Sequence, residues 1–378
     1  MQLDMHYYGT YAMARAAGLN TDAAKIIATC AQFVDDNTAR ESINFRDGSR
    51  IDSEATAHHM VDGANLDEAD QRRVWVPFHF LPGNIGDKYT ERLKCRIDSE
   101  VAQEMRDHHL RFAKRDFCLA LMGIAAHVYA DTFSHYGFSG VSSRGNKVEN
   151  DSFLFHGEVE GLEETVEELS DDMRTYVTEK ADAFFEKPGE ETGGVLKNIV
   201  SWLGEEASGA LGHGSVATYP DRPYLVWSFD YERDDVEIGG TLSVRNNPVT
   251  FLRGCRALHN MFQQFAIVRT EDYGSGDGRE FDEIEESVLN ILAVQGSKED
   301  RITAWQEAAQ AGTVFGENGD AIPAYEGESW NELWEEFDGN ESHESVMDSP
   351  IWHFYQAASL HRTFVIRNLL PKHGLIID

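Results

Sequence analysis

In the stretch 123–140, GIAAHVYADTFSHYGFSG, His127, Asp131 and His135 stand four residues apart. On a helix each four-residue step turns only about 40° past a full revolution, so imidazole, carboxylate and imidazole project from one face. Imidazole nitrogens and carboxylate oxygens are the donor set of zinc and related divalent cations, and such a cation can activate water for hydrolysis. His127 and His135 are about 12 Å apart along the axis, too far to share one ion, so metal binding here calls for at least two ions, with Asp131 bridging or serving the nearer one. A His followed four residues on by an acid also occurs at His58-Asp62 and His156-Glu160. The doubled pattern has a chance expectation of only about 0.1 per chain of this composition, which makes it informative where the single pair is not. The alternative is a polar helix face closed by its own i,i+4 pairs. Leu119, Leu121, Met122, Ile124 and Val128 argue against it, because a helix this apolar is buried and buried ionisable groups require partners.

Other histidines carry less. His79, in WVPFHFLPG, reads as a satisfied core histidine beside aromatics, and His213 sits between two glycines in a loop, with Asp221 downstream, that either covers a site or makes an ordinary loop hydrogen bond. Asp107-His108-His109 has the wrong order for a His-Asp phosphohydrolase, and His343, His353, His361 and His373 have no acid at ligand spacing. There is no Walker-type phosphate loop, no G-x-S-x-G elbow and no dinucleotide fingerprint. Cys30, Cys95, Cys118 and Cys255 are far apart in apolar segments and read as reduced core thiols.

The series His6, Asp35 in AQFVDDN, His59 in AHHMVDG, His127-x3-Asp131, His135 and His156-x3-Glu160 resembles the ordered ligand set of the zinc-dependent phospholipase C and single-strand nuclease superfamily. Those proteins are all-α phosphoesterases with a trinuclear zinc cluster. The resemblance covers roughly residues 1–165; the opening DMHYYGTY also resembles the start of an uncharacterised bacterial domain family. The resemblance implies that Asp35, His59, His127 and Asp131 hold one zinc, that His135, His156 and Glu160 hold a second, and that Asp131 bridges to a third ion shared with His6. Asp36 and His58 stay open as alternatives to Asp35 and His59.

Three departures bear on the ion count. The family puts five residues between the bridging Asp and the next His, where this chain has three. Its third zinc is bound partly by the α-amino group of an N-terminal Trp exposed by signal cleavage, whereas this sequence opens with Met1 and is expected to be unprocessed; Asp4, two residues before His6 and on the same side of an extended segment, is the expected substitute. The gap between Asp35 and His59 is longer than the family's and holds a hairpin. Two or three ions are therefore expected. The implied activity is zinc-dependent hydrolysis of a phosphoester through a metal-bound hydroxide, with Asp131 as the bridging ligand and Asp35 doubling as the base that orients the water. Manganese or iron suits the same donors. Two rivals stand beside it: a di-iron His/carboxylate oxidase or oxygenase on a helical bundle, and a non-catalytic metal-binding or structural protein.

To position these side chains the chain offers mostly helices. Apolar spacing predicts two over 8–36, with Gly18 stopping the first and Thr21 capping the second, then helices over 99–136 and 158–186, and later over 249–269, 281–295, 298–311, 328–337 and 350–370. Trp330 and Trp334 form an apolar stripe on the fourth of those later helices. A hairpin is expected over 42–52 around Asp47-Gly48, a loop from Pro77 to Gly86, and a loop with a small sheet over 220–248. The fold class is mainly α, a multi-helix globule of the zinc phospholipase C type with small β excursions. Residues 1–190 would form the metal-binding core, and 191–378 a helical continuation with an insertion at 203–248, packed into the same domain.

Composition narrows the partners. The 378 residues carry 66 Asp+Glu against 33 Lys+Arg, a net charge of −33. That field repels other polyanions, so duplex nucleic acid and anionic membranes are excluded as default partners and a small or short phosphoester is favoured. The opening lacks the basic start and apolar stretch of a secretory signal, and no run of about 18 apolar residues occurs, so a cytoplasmic protein without stable membrane association is expected.

Overall fold

The helix Cys118–Asp131, which carries His127 and Asp131, is buried along its whole length and packs against the helix Thr21–Asp36. Gly123 makes that contact possible. A Cβ there would sit 2.4 Å from the Cβ of Cys30 and 2.4 Å from the Ile27 carbonyl oxygen, so only glycine allows the two backbones so close. The helices run side by side in the same sense, Gly123 against Ile27 and Cys30, His127 against Ala31.

The computed structural model describes residues 1–39, 41–58, 67–148, 152, 154–155, 212, 216, 218–231, 242–316 and 320–377. It is mainly α-helical, with two small antiparallel sheets among those residues. Helix begins earlier than expected at the start of the chain: a π-helical turn, Asp4–Gly9, runs directly into Thr10–Ala16. Gly18, at φ 91°, ends it, and the cap of Thr21–Asp36 is Asn20 rather than Thr21, its side chain accepting from the Ala23 amide at 2.9 Å.

The single helix expected over 99–136 is two, Glu100–Leu110 and Cys118–Asp131. Arg269 donates to the Ala113 carbonyl and approaches Cys118 Sγ at 3.3 Å, so a distant side chain takes a carbonyl that a continuous helix would use internally. Within the segment expected as a loop from Pro77, the short helix Trp75–Phe78 includes the proline. The hairpin forms as expected, Ser42–Asn44 pairing antiparallel with Arg50–Asp52. The strands Leu154–Phe155, Val226–Asp230 and Leu242–Asn246 make the second sheet, covered by an aromatic cluster that includes Phe80, Phe138, Tyr219, Trp227 and Phe229.

The C-terminal half supplies Asn247–Val268, Phe281–Leu292, Lys298–Gln310, Glu328–Glu336 and Pro350–Phe364, the last running on through a π turn, Val365–Leu369. These helices pack on the N-terminal ones. Trp330 meets Phe33 with ring centroids 5.3 Å apart, Trp334 meets Tyr355 at 4.6 Å, and buried Arg301 pairs with buried Asp4 at 2.7 Å. All four cysteines are buried and free. Among the described residues no helix is long and apolar enough to cross a membrane. The helix expected over 158–186 lies outside the described residues, as does all but Gly212 and Val216 of the Gly/Ser-rich run at 203–216.

Candidate metal centre

The side-by-side helices aim Asp35 and His127–Asp131 at one point, the π turn adds His6, and the segment after Trp75–Phe78 adds His79. Ligand atoms of His6, His127 and Asp131 all lie within 4.8 Å of one another, and so do those of Asp35, His79 and His127. His127 Nε2 is 3.2 Å from Asp131 Oδ2 and 3.8 Å from Asp35 Oδ1; His79 Nδ1 is 3.6 Å from Asp35 Oδ1 and 3.7 Å from Asp131 Oδ2. His6 Nε2 lies 3.2 Å from Asp131 Oδ1 and 3.8 Å from Asp35 Oδ2, its ring stacked on His127 at 3.9 Å. Asp35 forms the open edge, with 31% of its side chain exposed, while His6, His127 and Asp131 are buried.

Backbone carbonyls set the proton positions. His127 Nδ1 donates to the Ala31 carbonyl at 2.8 Å and His79 Nε2 donates to the Thr56 carbonyl at 2.8 Å. A carbonyl can only accept, so in each neutral ring the other nitrogen is a lone pair. Those lone pairs, His127 Nε2 and His79 Nδ1, face each other at 3.2 Å with no proton to share. Among the described residues, both nitrogens of His6 and Oδ2 of Asp131 are likewise buried without a hydrogen-bond partner. Facing acceptors and orphaned polar atoms in a buried pocket are stabilised by a cation, and carbonyl-oriented imidazoles are the usual outer support of metal ligands.

The electrostatics agree. Burial lowers the His127 pKa to about 4, against the pull of Asp131, and burial with neighbouring His127 holds His6 well below its ordinary value, so both are neutral donors at pH 7. Burial opposes the charge on Asp131, yet His135, the Met1 nitrogen, His127 and His6 keep its carboxyl well below the usual range. Asp35, by contrast, is pushed well above that range by burial and by the neighbouring carboxylates Asp131, Asp36 and Asp221.

On the far side of Asp131, His135 follows the helix rather than continuing it, its amide bonded to the Asp131 carbonyl at 2.8 Å. Both rings approach Asp131 Oδ2, His135 Nδ1 at 3.4 Å and His127 Nε2 at 3.2 Å. His135 Nδ1 donates to the His79 carbonyl at 2.9 Å, which turns Nε2 towards Asp221 Oδ1 at 3.1 Å. Buried Arg245 holds the flanking chain, donating to the carbonyls of Ser134 and Tyr136 and lying 3.7 Å over the Tyr136 ring.

Several expected residues go elsewhere. Asp4 is not beside His6 in the cluster: the segment is helical, so residues two apart point away from each other, and Asp4 turns to Arg301. The place given to it is held by the Met1 nitrogen, 2.7 Å from Asp131 Oδ1, 3.2 Å from Asp221 Oδ1 and 3.4 Å from His135 Nε2. Asp36 points outward to the Tyr325 hydroxyl at 2.6 Å, leaving Asp35 in the cluster. His58 is buried and its Nε2 pairs with Asp70. His59, His156, Glu160 and His213 lie outside the described residues.

His79 and Asp221 are the residues that sequence reasoning undervalued. The signal for His79 was present: its apolar neighbours imply burial, and a buried imidazole needs partners as much as His127 does. Asp221 lies beyond the residues that carry the family resemblance, on the short turn Tyr219–Asp221, which Asn247 fastens through the Tyr219 and Arg222 carbonyls at 2.8 Å each. No curated protein and no solved structure matches the chain. A model described as a family of unknown function, DUF6765, matches residues 1–369, almost the whole chain, and the protein belongs to that family.

Proposed function

We propose that the protein is a metal-dependent hydrolase of a small or short phosphoester, built on a helical fold of the zinc phospholipase C type. The observation that carries this reading is the pair of carbonyl-fixed imidazoles, His79 and His127, whose lone pairs face each other beside Asp35, Asp131 and His6. Mixed imidazole and carboxylate donors without thiolate suit zinc in an open, catalytic setting, and manganese or iron would fit the same atoms. A bound cation would lower the pKa of water towards about 7 and offset charge developing on a phosphoryl oxygen.

The chain's own groups do the rest. Asp131, between the two histidine sets, is placed to serve more than one ion, and two or three ions remain the expectation. Asp35, at the exposed edge, is placed to accept the proton of an incoming water. Positive potential would be confined to this pocket within a molecule of net charge −33, which restricts the substrate to one that can reach it without laying a polyanion along the surface.

Elemental analysis of the purified protein, with a panel of phosphodiesters and phosphomonoesters, tests the reading. Zinc together with turnover is expected, and Asp131→Asn should lose at least one ion and nearly all activity while keeping its circular dichroism. Iron with an absorbing bridged centre would replace this reading by the oxidase, and metal without turnover would reduce it to metal binding. Unchanged metal content in Asp131→Asn would overturn the site itself.

A further inference from the structure

A cleft of about 840 Å³ lies between the Pro350–Phe364 helix, the end of Glu100–Leu110 and the strand Arg50–Asp52, and none of the described candidate metal ligands lines it. Phe112, Phe117 and Trp352 are only half-buried and give it aromatic walls, joined by Tyr355 and Phe364. Its charged residues are already matched: Arg50 Nε pairs with Asp52 at 2.8 Å and Glu54 pairs with Arg362. The lining therefore offers an ion no unbalanced charge.

One polar group in that wall has its proton position set from the core. The Pro77 carbonyl accepts from His361 Nε2 at 2.8 Å. His361 Nδ1 must then accept, and it takes the hydrogen of His109 Nε2 at 2.8 Å; His109 Nδ1 accepts in turn from His108 Nδ1 at 3.0 Å. His108 Nε2 is left as a lone pair on a ring that stacks on Phe364 at 3.4 Å and lines the cleft. The two contacts of His109 use opposite nitrogens, so the rings form a chain and not a cage for a metal. Burial holds His109 well below its ordinary pKa and brings His361 to about 4, which keeps the chain neutral at pH 7.

We propose that this cleft binds a neutral, planar aromatic ring carrying an N–H or O–H donor, with the donor on His108 Nε2 and the ring packed against the half-buried aromatic walls. Offset or edge contacts between rings favour a flat aromatic body over an aliphatic one. A fixed acceptor selects for a donor, because a ligand without one leaves the imidazole lone pair buried and unpaired. Carboxylates and phosphates are disfavoured, since His108 presents no proton to them. The proposal does not depend on the metal reading.

Indole is the probe, with N-methylindole as the matched ring that lacks the donor. Calorimetric titration of the full chain at pH 7.5 should give saturable one-to-one binding of indole, and the His108 Nε2 resonance should move in a long-range nitrogen–proton spectrum. N-methylindole, and indole on His108→Phe or Trp352→Ala, should bind about ten-fold more weakly or worse. Ser359→Trp, which fills the cleft from a partly exposed position, should abolish binding without altering metal content, and melting curves verify that each variant is folded. Equal affinity for the two probes, binding that survives Ser359→Trp, or no saturation below about 10 mM indole would overturn the proposal.

Discussion

His58 and His79 are both buried, and they answer to different partners. His79 turns Nδ1 into the cluster, whereas His58 faces Asp70. His79→Asn should therefore lower the bound metal by at least one ion with little change in fold. His58→Asn should leave the metal in place and cost about 1 kcal/mol, since Asp70 is partly exposed and water can replace part of the lost pairing. Metal content and urea midpoints of the two variants check this, and equal metal loss in both would remove the distinction. At this scale the sequence was informative where ligands recur at helical spacing: His127 and Asp131 lie one turn apart, and the structure brings them together with His6 and Asp35. His79 escaped because it stands alone among aromatics, and Asp221 because a loop aspartate has no periodicity to betray it.

Among the elements, the contact at Gly123 sets how closely the helices that carry Asp35, His127 and Asp131 approach. Gly123→Ala would place a methyl group against Cys30 and the Ile27 carbonyl, and one of those partners is backbone that cannot rotate away. The helices must then separate, which costs about 1–3 kcal/mol as overpacking and pulls His127 away from the Ala31 carbonyl that orients it. The expected outcome is a lower melting temperature together with weaker metal retention during dialysis against a chelator. A variant that melts lower but holds its metal normally would show that helix spacing does not govern the site. Among the described residues most helix positions were legible from apolar spacing, and so was the hairpin at Asp47-Gly48. The break at 111–117 was not, because the group responsible, Arg269, is more than 150 residues away and local pattern carries no sign of it. The helical start at Asp4–Gly9 was also missed, and with it the direction in which Asp4 points.

For the molecule as a whole, long-range pairs such as Asp4 with Arg301 and His361 with Pro77 join segments that no sequence window contains, which is why their assembly could not be read in advance. The His361 contact makes stability depend on pH in a definite direction. Burial lowers its pKa to about 4, while an imidazole in the unfolded chain titrates near 6.5. Between those values the unfolded state binds a proton that the folded state refuses. The contribution is therefore intact above about pH 6.5 and lost as pH falls towards 4, by up to about 3 kcal/mol. Asp4 and Asp35, whose pKa values are raised mainly by burial, act in the opposite sense, so the total curve mixes signs and the difference between two proteins isolates the histidine. His361→Gln should be less stable than the parent at pH 8, having lost part of the hydrogen-bonded chain to His109 and Pro77. That gap should narrow as the pH is lowered from about 6.5 to about 4, because the variant lacks the imidazole at 361 whose protonation on unfolding penalises the parent. Urea midpoints followed by circular dichroism at several pH values measure it. A gap that stays constant on acidification would mean that His361 keeps its unfolded pKa, and one that widens would mean that its folded pKa is raised; either would overturn the buried, neutral His361.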